Sequence, residues 1–295
     1  MSKKSITGNI KLKSYNDLFE SDVQDKGSII EIPIEQLHSF KEHPFLVLDD
    51  DKMDETVESV EKYGILVPGI ARKRKDGEYE IISGHRRKHA AEIVGLKTMP
   101  MIVKELTDDE ATIIMVDANI QREDILPSEK AKAYSMKYEA MKHQGAKGGN
   151  SLAVIGESSG ESMKTVQRFI YLARLSDELL KMIDENKLGI GQGLELSWID
   201  KVAQETVYEI LCKEEVSLSV SQAIQIKELF REGKLTERAI LTVVNKDKQK
   251  PHKRKITFNS KKLDHYFDTD YSDEEIENLI ISLLDEWKER GGTLE

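Results

Sequence analysis

A glycine followed by a run of basic side chains marks the part of the chain that could bind an anion. The sequence IISGHRRKHAAEIVG at 81–95 predicts an apolar strand that ends at a Ser-Gly pair and a helix that begins directly after it. A helix N-terminus leaves backbone N–H groups unpaired and carries partial positive charge. The candidate phosphate-binding residues are Gly84, which lets the backbone approach closely, and His85, Arg86 and Arg87 in the first helical turn. From these residues alone, the alternative to a phosphate site is an ordinary basic helix start that is exposed to solvent.

The same helix carries two histidines and a glutamate at a spacing that could bind a metal ion. His85, His89 and Glu92 lie at positions i, i+4 and i+7, which places them on one helix face. The basic residues from Arg86 to Lys88 lie between them and would repel a dication. The pattern therefore disfavours a metal site and favours a surface or packing role for His89.

A second segment has the spacing of a helix-turn-helix and the side-chain types that contact DNA. Ser159-Gly160-Glu161 predicts the turn, and Ser162 can cap the second helix. Apolar residues at helical spacing predict its buried face, and they are Val166, Phe169, Ile170 and Ala173. The candidate DNA-binding residues lie on the opposite face and are Lys164, Thr165, Gln167 and Arg168, with Tyr171 beside them. An ordinary amphipathic helix with a polar outer face is the alternative.

Short strands alternate with helices in the segment that must position the anion site. The predicted strands are 28–33, 65–72, 78–83 and 99–104, with a hairpin turn at 75–77. A helix is predicted at 54–63, and Gly64 ends it. In the helix of the anion site, Ala90, Ile93 and Val94 follow at i, i+3 and i+4 and are expected to face the core.

The rest of the chain is predicted to be almost wholly helical. Helices are expected at 107–118 and 127–141, the latter capped by Ser128, and further helices continue to about Val244. A glycine-rich flexible connector is expected at 143–151.

Near the end of the chain, Ser272 and Glu275 form a capping-box pattern. An apolar stripe follows, which consists of Ile276, Leu279, Ile280, Leu283, Leu284 and Trp287. It is expected to pack against its own protein, with a dimer or partner surface as the alternative.

These patterns predict an α+β fold in which an α/β domain precedes an all-α domain. The predicted segments are a flexible N-terminal segment at 1–27, an α/β domain at 28–106, a helical domain with the helix-turn-helix at 107–245, a basic linker at 246–255, and a C-terminal segment with an amphipathic helix at 256–295. The basic linker is interpreted either as a contact to DNA phosphates or as a solvated linker.

Composition and charge exclude several classes of function. The net charge of -10 over 295 residues means that any DNA contact must come from local basic patches. Cys212 is the only cysteine, which excludes disulfides within the chain and cysteine-cluster metal sites, and its apolar helical context predicts a buried, inert thiol. We expect a cytoplasmic protein that contacts no membrane, because the sequence has neither a signal-peptide core nor an apolar run of membrane-spanning length.

Three sequence boxes occur in a fixed order ahead of the helix-turn-helix. They are GILVP at 64–68, EIISGHRR at 80–87 and NIQREDILP at 119–127. The first two resemble the GILQP strand and the GERRxRAA nucleotide box of the ParB/RepB family of DNA-partition proteins, a family that also contains nucleoid-occlusion factors. The third is similar to that family's ENLQREDLxP box. The resemblance runs from about Ser28 to Val244, and the helix-turn-helix lies where the family places its DNA reader.

The resemblance implies a ParB/sulfiredoxin-like fold for the α/β domain and a site for CTP, with Mg²⁺ bridging its phosphates. By this resemblance Gly84, His85, Arg86 and Arg87 would hold the triphosphate, Asn119 would help to hold the Mg²⁺, and Arg122 would support the same box. It also implies a homodimer that loads on a palindromic, parS-like site in double-stranded DNA and closes on nucleotide into a clamp. Such a protein would act at the nucleoid in the segregation of a chromosome, plasmid or other mobile element, and a ParA-type ATPase partner is left open.

The chain departs from the family pattern at several positions. Ala118 stands where the family usually has a glutamate implicated in hydrolysis, and Asp117 would point about 100° away on a helix. Nucleotide binding is therefore expected, and weak CTP hydrolysis is left open. His85 replaces the usual glutamate, and the family's first nucleotide box, NPxQPR, appears only as His43-Pro44-Phe45.

Other functions stay open on the sequence. A ParB-like transcriptional regulator, or a nucleoid-associated protein without a role in segregation, would use the same modules. A sulfiredoxin-like enzyme would need a cysteine immediately before the His-Arg pair, where this chain has Gly84. A kinase acting on a free amino acid is disfavoured by the attached helix-turn-helix.

Overall fold

The computed structural model describes residues 29–122, 124–145, 148–245, 266 and 271–290. It shows the α+β architecture that the sequence predicts, with a five-stranded mixed sheet followed by a run of helices. The chain divides into two compact units, residues 1–246 and 247–295, which are described separately. The predicted N-terminal flexible segment and the predicted basic linker lie outside the described residues.

The sheet has the strand order β1-β5-β3-β4-β2. Its strands are β1 (Ile29–Pro33), β2 (Leu37–His38), β3 (Gly69–Lys73), β4 (Tyr79–Ser83) and β5 (Thr98–Val103). The pairs β1/β5 and β3/β4 are antiparallel, and the pairs β2/β4 and β3/β5 are parallel. The predicted hairpin turn joins β3 to β4, where the N–H of Arg74 donates to the carbonyl of Glu78 at 2.7 Å.

The strand predicted at 65–72 is shorter in the structure than expected. Pairing begins only at Gly69, while Leu66 and Val67 are 74% and 59% exposed. Pro68 has no N–H to donate to a neighbouring strand, so the sheet hydrogen bonds start after it.

Two helices, one before β3 and one directly after β4, pack against each other. Helix α1 (Asp51–Tyr63) begins three residues earlier than predicted because the side chain of Asp50 accepts a hydrogen bond from the N–H of Met53. Helix α2 (His85–Val94) begins directly after β4, as predicted. The prediction that Ile93 faces the core is wrong, because Ala90 and Ala91 form the buried face and Ile93 lies about 110° around the helix from their side.

The remaining helices of the first unit form the all-α part. They are α3 (Asp108–Asn119), α4 (Pro127–His143), α5 (Gly148–Ser159), α6 (Met163–Leu172), α7 (Asp177–Asp184), α8 (Ile190–Leu196), α9 (Lys201–Glu214), α10 (Val220–Arg231) and α11 (Glu237–Asn245). The connector expected at 143–151 is shorter than predicted, since helix α5 already begins at Gly148.

Ser128 does not cap helix α4, which corrects a second expectation. The carboxylate of Glu129 accepts the hydrogen bond from the N–H of Leu126 at the start of the helix, at 3.0 Å. The N–H of Ser128 instead donates to the carboxylate of Asp184 at 2.9 Å, which ties α4 to α7.

A continuous buried core joins the sheet to the first helices of the all-α part. One cluster contains Ile70 and Ile82 from the sheet, Val116 from α3, Tyr134 from α4 and Val166 from α6. These side chains exclude water from the contact between the two parts, so the edge of the sheet and the helix-turn-helix rest on one packed framework.

The thiol of Cys212 is exposed, which corrects the prediction of a buried thiol. Helix α9 buries Val207, Ile210 and Leu211 on one face. Cys212 lies about 100° further around the helix than Leu211, on the side that faces away from the core.

In the second unit, helix α12 (Asp273–Glu289) begins at the predicted cap, where the side chain of Ser272 accepts from the N–H of Glu275. Among the described residues its apolar stripe is largely exposed, with Leu283, Leu284 and Trp287 56%, 56% and 43% exposed, and the expectation that it packs against its own protein stays a prediction. The described part of this unit contains no second element that covers the stripe. Within the described ranges, no helix has both the length and the apolar character that crossing a bilayer requires.

Candidate functional site

A cavity of about 160 Å³ lies where the end of β4, the start of α2 and the end of α3 meet. We call it the anion cavity. Its lining comes from three segments and consists of His43, Phe45, Leu46, Val47, Ser83, Gly84, His85, Arg86, Arg87, Ala118, Asn119 and Arg122. The structure therefore brings together all six residues that the sequence proposed for nucleotide binding, although they lie up to 38 positions apart along the chain, from 84 to 122.

Gly84 shapes the floor of the anion cavity. Its φ of 113° lies in the left-handed region, which strongly favours glycine. A Cβ atom at this position would lie 3.2 Å from the Cα of Gly69 and 3.2 Å from the Cε of Met99. The turn that aims the α2 N-terminus at the cavity therefore depends on the missing side chain.

The backbone donors of the α2 N-terminus suit an anion. The hydrogen bond from the N–H of Lys88 to the carbonyl of Gly84, 2.9 Å long, is the first one of the helical ladder. The N–H groups of His85, Arg86 and Arg87 precede it and have no acceptor within the helix. The N–H groups at a helix start and the positive end of the helix dipole favour a negatively charged ligand here.

Arg86 contacts a carboxylate at the cavity wall. Its Nη2 lies 2.8 Å from Oδ1 of Asp50, the residue that caps helix α1. The hydrogen bond from this guanidinium lowers the pKa of the Asp50 carboxyl, so the carboxylate stays charged near neutral pH. Asp50 therefore orients Arg86 in the cavity and also competes with any anion for it.

Arg87 lies between the anion cavity and a second one. Its guanidinium donates to the backbone carbonyls of Val67 and Pro68, the latter at 2.9 Å. It also lines a cavity of about 400 Å³ between α1 and the segment 64–67, which we call the side cavity. The side cavity is lined by Glu55, Thr56, Ser59, Val60, Gly64, Ile65, Leu66, Val67 and Arg87.

The loop that carries His43 is fixed by a buried acid. Glu129 is 5% exposed, and its carboxylate accepts hydrogen bonds from the N–H groups of Leu46 at 2.6 Å and Leu126 at 3.0 Å. One side chain thus holds the wall of the anion cavity against the start of helix α4. The sequence gives no sign of this contact, because the acid and the loop are 83 residues apart.

Asn119 and Arg122 close the cavity from the side of α3. The Nδ2 of Asn119 donates to the carbonyl of Met115 at 2.8 Å, which fixes the orientation of the amide. Ala118 lines the cavity with a methyl group, and Asp117 is not among the lining residues. Asp117 instead pairs with Lys137, with 11% and 2% of these side chains exposed, so its carboxylate points into the protein.

Of the three residues considered for a metal, His89 and Glu92 lie close to each other, with 3.8 Å between Nδ1 and Oε2, while His85 makes its contacts elsewhere. The Nε2 of His89 lies 2.7 Å from a carboxylate oxygen of Asp49, while the ring of His85 lies against His43. Among the described residues, no group of three or more histidine, cysteine, aspartate or glutamate side chains is placed to hold a metal ion.

The helix-turn-helix forms where the sequence predicts it. The side chain of Ser162 accepts a hydrogen bond from the N–H of Thr165 at 3.1 Å, which caps helix α6. Val166 is fully buried beneath the helix. The proposed DNA-binding side chains of Lys164, Gln167 and Arg168 are exposed, and that of Thr165 is half-buried.

A buried ion pair connects the anion cavity to the helix-turn-helix. The ammonium group of Lys137 on α4 pairs with Asp117 on α3 and donates to Oγ of Ser158 on α5 at 2.9 Å. Asp117 immediately precedes two cavity residues, and Ser158 lies in the last turn before the predicted reader helix. The helical spacing predicts that Asp117 points away from the site, but it gives no indication of the partner Lys137.

Residues 19–120 match the family model of the ParB N-terminal domain. These matches confirm the resemblance to ParB proteins that was drawn from the three sequence boxes. It is 33% identical over 181 residues to the stage 0 sporulation protein J of Bacillus subtilis, a match that covers 61% of each chain. It is 29% identical over 179 residues to the chromosome-partitioning protein ParB of Myxococcus xanthus, covering 61% of this chain and 58% of that protein.

Among solved structures, the chain is similar to C-terminally truncated ParB from Caulobacter crescentus complexed to the centromeric parS site. The identity is 26%, the TM-score is 0.40, and the match covers 69% of this chain and 99% of that one. The chain spans 58% of the length of the Myxococcus xanthus protein and 61% of the length of the Bacillus subtilis protein.

Proposed function

We propose that this protein is a sequence-specific DNA-binding partition protein that responds to CTP. The observation that supports this proposal most directly is the anion cavity, in which a left-handed glycine, a helix N-terminus and three arginines converge. The same packed framework carries an exposed helix-turn-helix face. We infer that the protein acts as a homodimer on a palindromic site, because paired reader helices match paired half-sites.

The cavity chemistry fits a nucleoside triphosphate. Arg86, Arg87 and Arg122 supply positive charge, and the Gly84 turn lets phosphate oxygens approach the backbone N–H groups. The side cavity adjoins the anion cavity through Arg87 and offers apolar side chains such as Ile65 and Leu66. We infer that the triphosphate occupies the anion cavity and that the base lies in the side cavity.

A magnesium ion would complete the charge balance of such a ligand. Asn119 contributes a neutral amide to the cavity wall, and its Nδ2 is already engaged with Met115, which leaves the amide oxygen as the group for a hard cation. We propose that Asn119 helps to hold Mg²⁺ when nucleotide is bound. The ion would neutralise phosphate charge, with phosphate oxygens and water as its other ligands.

We propose that binding, rather than hydrolysis, is the main role of the nucleotide. Hydrolysis needs a group that orients or deprotonates water near the terminal phosphate. Ala118 supplies only a methyl group, and Asp117 is committed to Lys137 in the protein interior. We therefore expect CTP turnover to be weak.

Nucleotide preference tests this function directly. Titration of the protein with CTP, ATP and GTP by isothermal calorimetry is expected to show tighter binding of CTP than of either purine nucleotide. A base in the side cavity would contact a fixed surface, so pyrimidine and purine should differ. Equal affinity for all three would contradict the assignment of the side cavity, and no binding of any would contradict the nucleotide site.

A substitution in helix α6 tests the DNA-binding part of the proposal. Arg168→Ala is expected to weaken binding to the specific DNA site by roughly 1–3 kcal/mol, a five- to 150-fold loss, because a base contact is removed. Random DNA should lose much less. Arg231→Ala, which removes an exposed arginine at the end of α10, is the matched control and should change neither affinity.

Fluorescence anisotropy measures the affinities for specific and for random DNA. The specific duplexes are labelled and are selected from genomic fragments that the protein enriches. An equal loss on specific and random DNA would show that Arg168 contacts only phosphate. No loss on either would contradict the assignment of this helix face to DNA.

A further inference from the structure

Two histidine rings meet in the wall of the anion cavity. The ring centroids of His43 and His85 lie 3.9 Å apart, with an angle of 42° between the ring planes. Both Nε2 atoms are buried, and neither has a hydrogen-bond partner among the described residues. An unpaired buried polar atom destabilises the protein, so a ligand that pairs with these nitrogens is favoured.

The hydrogen bonding of His43 fixes which of its nitrogens carries the hydrogen. Its Nδ1 lies 2.7 Å from the backbone carbonyl oxygen of Phe45, which can only accept. Nδ1 therefore donates, and in the neutral ring Nε2 is an acceptor. A phosphate oxygen is also an acceptor, so a neutral His43 cannot bond to it through Nε2. Protonation of the ring converts Nε2 into a donor.

The surroundings keep both rings neutral in the ligand-free protein. Burial lowers the pKa of His43, and the positive charge of Arg122 lowers it further, although the bond to Phe45 opposes the shift. Burial, the neighbouring His43 and the charge of Lys88 lower the pKa of His85 to about 3. Near neutral pH, both rings are therefore uncharged until another charge enters the cavity.

Around the two histidine rings, the other charged groups are either positive or are carboxylates that already have an ion-pair or hydrogen-bond partner. On the loop of His43, Asp50 pairs with Arg86 and Asp49 pairs with His89. The remaining groups are Arg87 and Lys88 on α2, Arg122 after α3, and Glu129 on α4, whose carboxylate accepts from the loop backbone. A bound triphosphate would reverse this balance, since several negative charges would face the rings.

We propose that the His43–His85 pair takes up a proton when nucleotide binds, and that the protonated ring donates from Nε2 to a phosphate oxygen. This inference rests on the proposed nucleotide site. Because two charged rings at this separation would repel each other, the pair takes up about one proton rather than two. Nucleotide affinity should then fall as pH rises between the free-state and bound-state pKa, by up to about tenfold per pH unit.

Calorimetry measures this proton uptake without any enzymatic readout. CTP is titrated to saturation at about pH 7.5, where its own phosphates are almost fully ionised, in buffers that differ in ionisation enthalpy. The slope of the binding enthalpy against the buffer enthalpy counts the protons exchanged. The wild-type protein is expected to take up between about 0.5 and 1 proton for each CTP bound.

Matched variants assign the uptake to the pair. His43→Asn keeps an N–H that can reach the Phe45 carbonyl but has no titratable nitrogen, and His85→Gln removes the second ring. The double variant should bind CTP more weakly and take up no proton. His89→Gln, which changes a neighbouring histidine outside the cavity lining, should retain the wild-type uptake.

The outcomes separate this inference from the proposed function. CTP binding without proton uptake by the wild type, or uptake that persists in the double variant, would overturn the proton-linked role and leave the nucleotide site intact. The absence of any binding heat with the wild type would overturn the site itself, and the inference with it.

Discussion

Replacing Arg86 with alanine is expected to lower the affinity for CTP by about ten- to 150-fold. A hydrogen bond to a charged group contributes about 1.5–3 kcal/mol, and Arg86 is one of the two first-turn arginines that line the anion cavity. The control is Arg74→Ala, which removes an arginine from the β3–β4 turn, where it pairs with Asp76 at 3.0 Å. Calorimetry on both variants should show a loss only for Arg86→Ala.

Removing the charge of Asp50, the partner of Arg86, is expected to change the CTP affinity in the opposite direction. Asp50→Asn keeps an oxygen that can cap helix α1 but removes the negative charge that competes with the nucleotide. CTP affinity is expected to rise by about two- to fivefold, because the ion pair is partly exposed and only moderately strong. A decrease would show that Asp50 is needed to orient Arg86 more than it competes for it.

The second large effect concerns the buried ion pair between α3 and α4. Lys137→Met is expected to lower the free energy of unfolding by about 3–5 kcal/mol, because it leaves the carboxylate of Asp117 buried without its counter-charge. Lys132→Met on the same helix is the matched control. Lys132 pairs with Asp177 at 2.7 Å in a largely exposed position, so its loss should cost less than about 1 kcal/mol.

A double substitution separates the effect of the unpaired charge on stability from the effect of altered packing. Lys137→Met combined with Asp117→Leu replaces both charges with apolar side chains and should recover most of the lost stability. Urea denaturation of the four proteins provides the comparison. If Lys137→Met costs no more than Lys132→Met, the pair is better solvated than its burial indicates and the prediction is wrong.

Local sequence patterns predicted most elements of this fold. The alternation of apolar residues located the strands, and Gly64 and Gly84 located a helix end and a helix start. Errors occurred where contacts distant in sequence decide the outcome. The strand before Gly69 was predicted too long because apolar residues such as Leu66 line the side cavity rather than the sheet.

Burial of single residues was harder to predict than the helices that carry them. Ile93 and Cys212 occur in apolar surroundings along the chain, but rotation around their helices places both on outer faces. Such positions depend on which side of the helix packs, and a short apolar run leaves that choice open.

In the candidate site, too, local sequence patterns predicted some residues, whereas contacts distant in sequence decide the others. The glycine and arginines of the α2 start, together with Asn119 and Arg122, were found from sequence because they occur in boxes of fixed spacing. His43 stands out in the sequence only as a partial match to a family box, and no box of fixed spacing indicates a role for Asp50 or Glu129. Asp50 could have been found as an acidic residue just before a helix, whereas the contact of Glu129 with the cavity loop spans 83 positions.

The central claim is that the turn at Gly84 and the arginines beside it bind the triphosphate of CTP. A crystal structure of the full-length protein grown with CTP and Mg²⁺ tests it most directly. We predict phosphate density against the backbone of Gly84 to Arg87, with Arg86 released from Asp50 or shared with it. Clear nucleotide density elsewhere on the protein, or an anion cavity without nucleotide at saturating CTP, would contradict the claim.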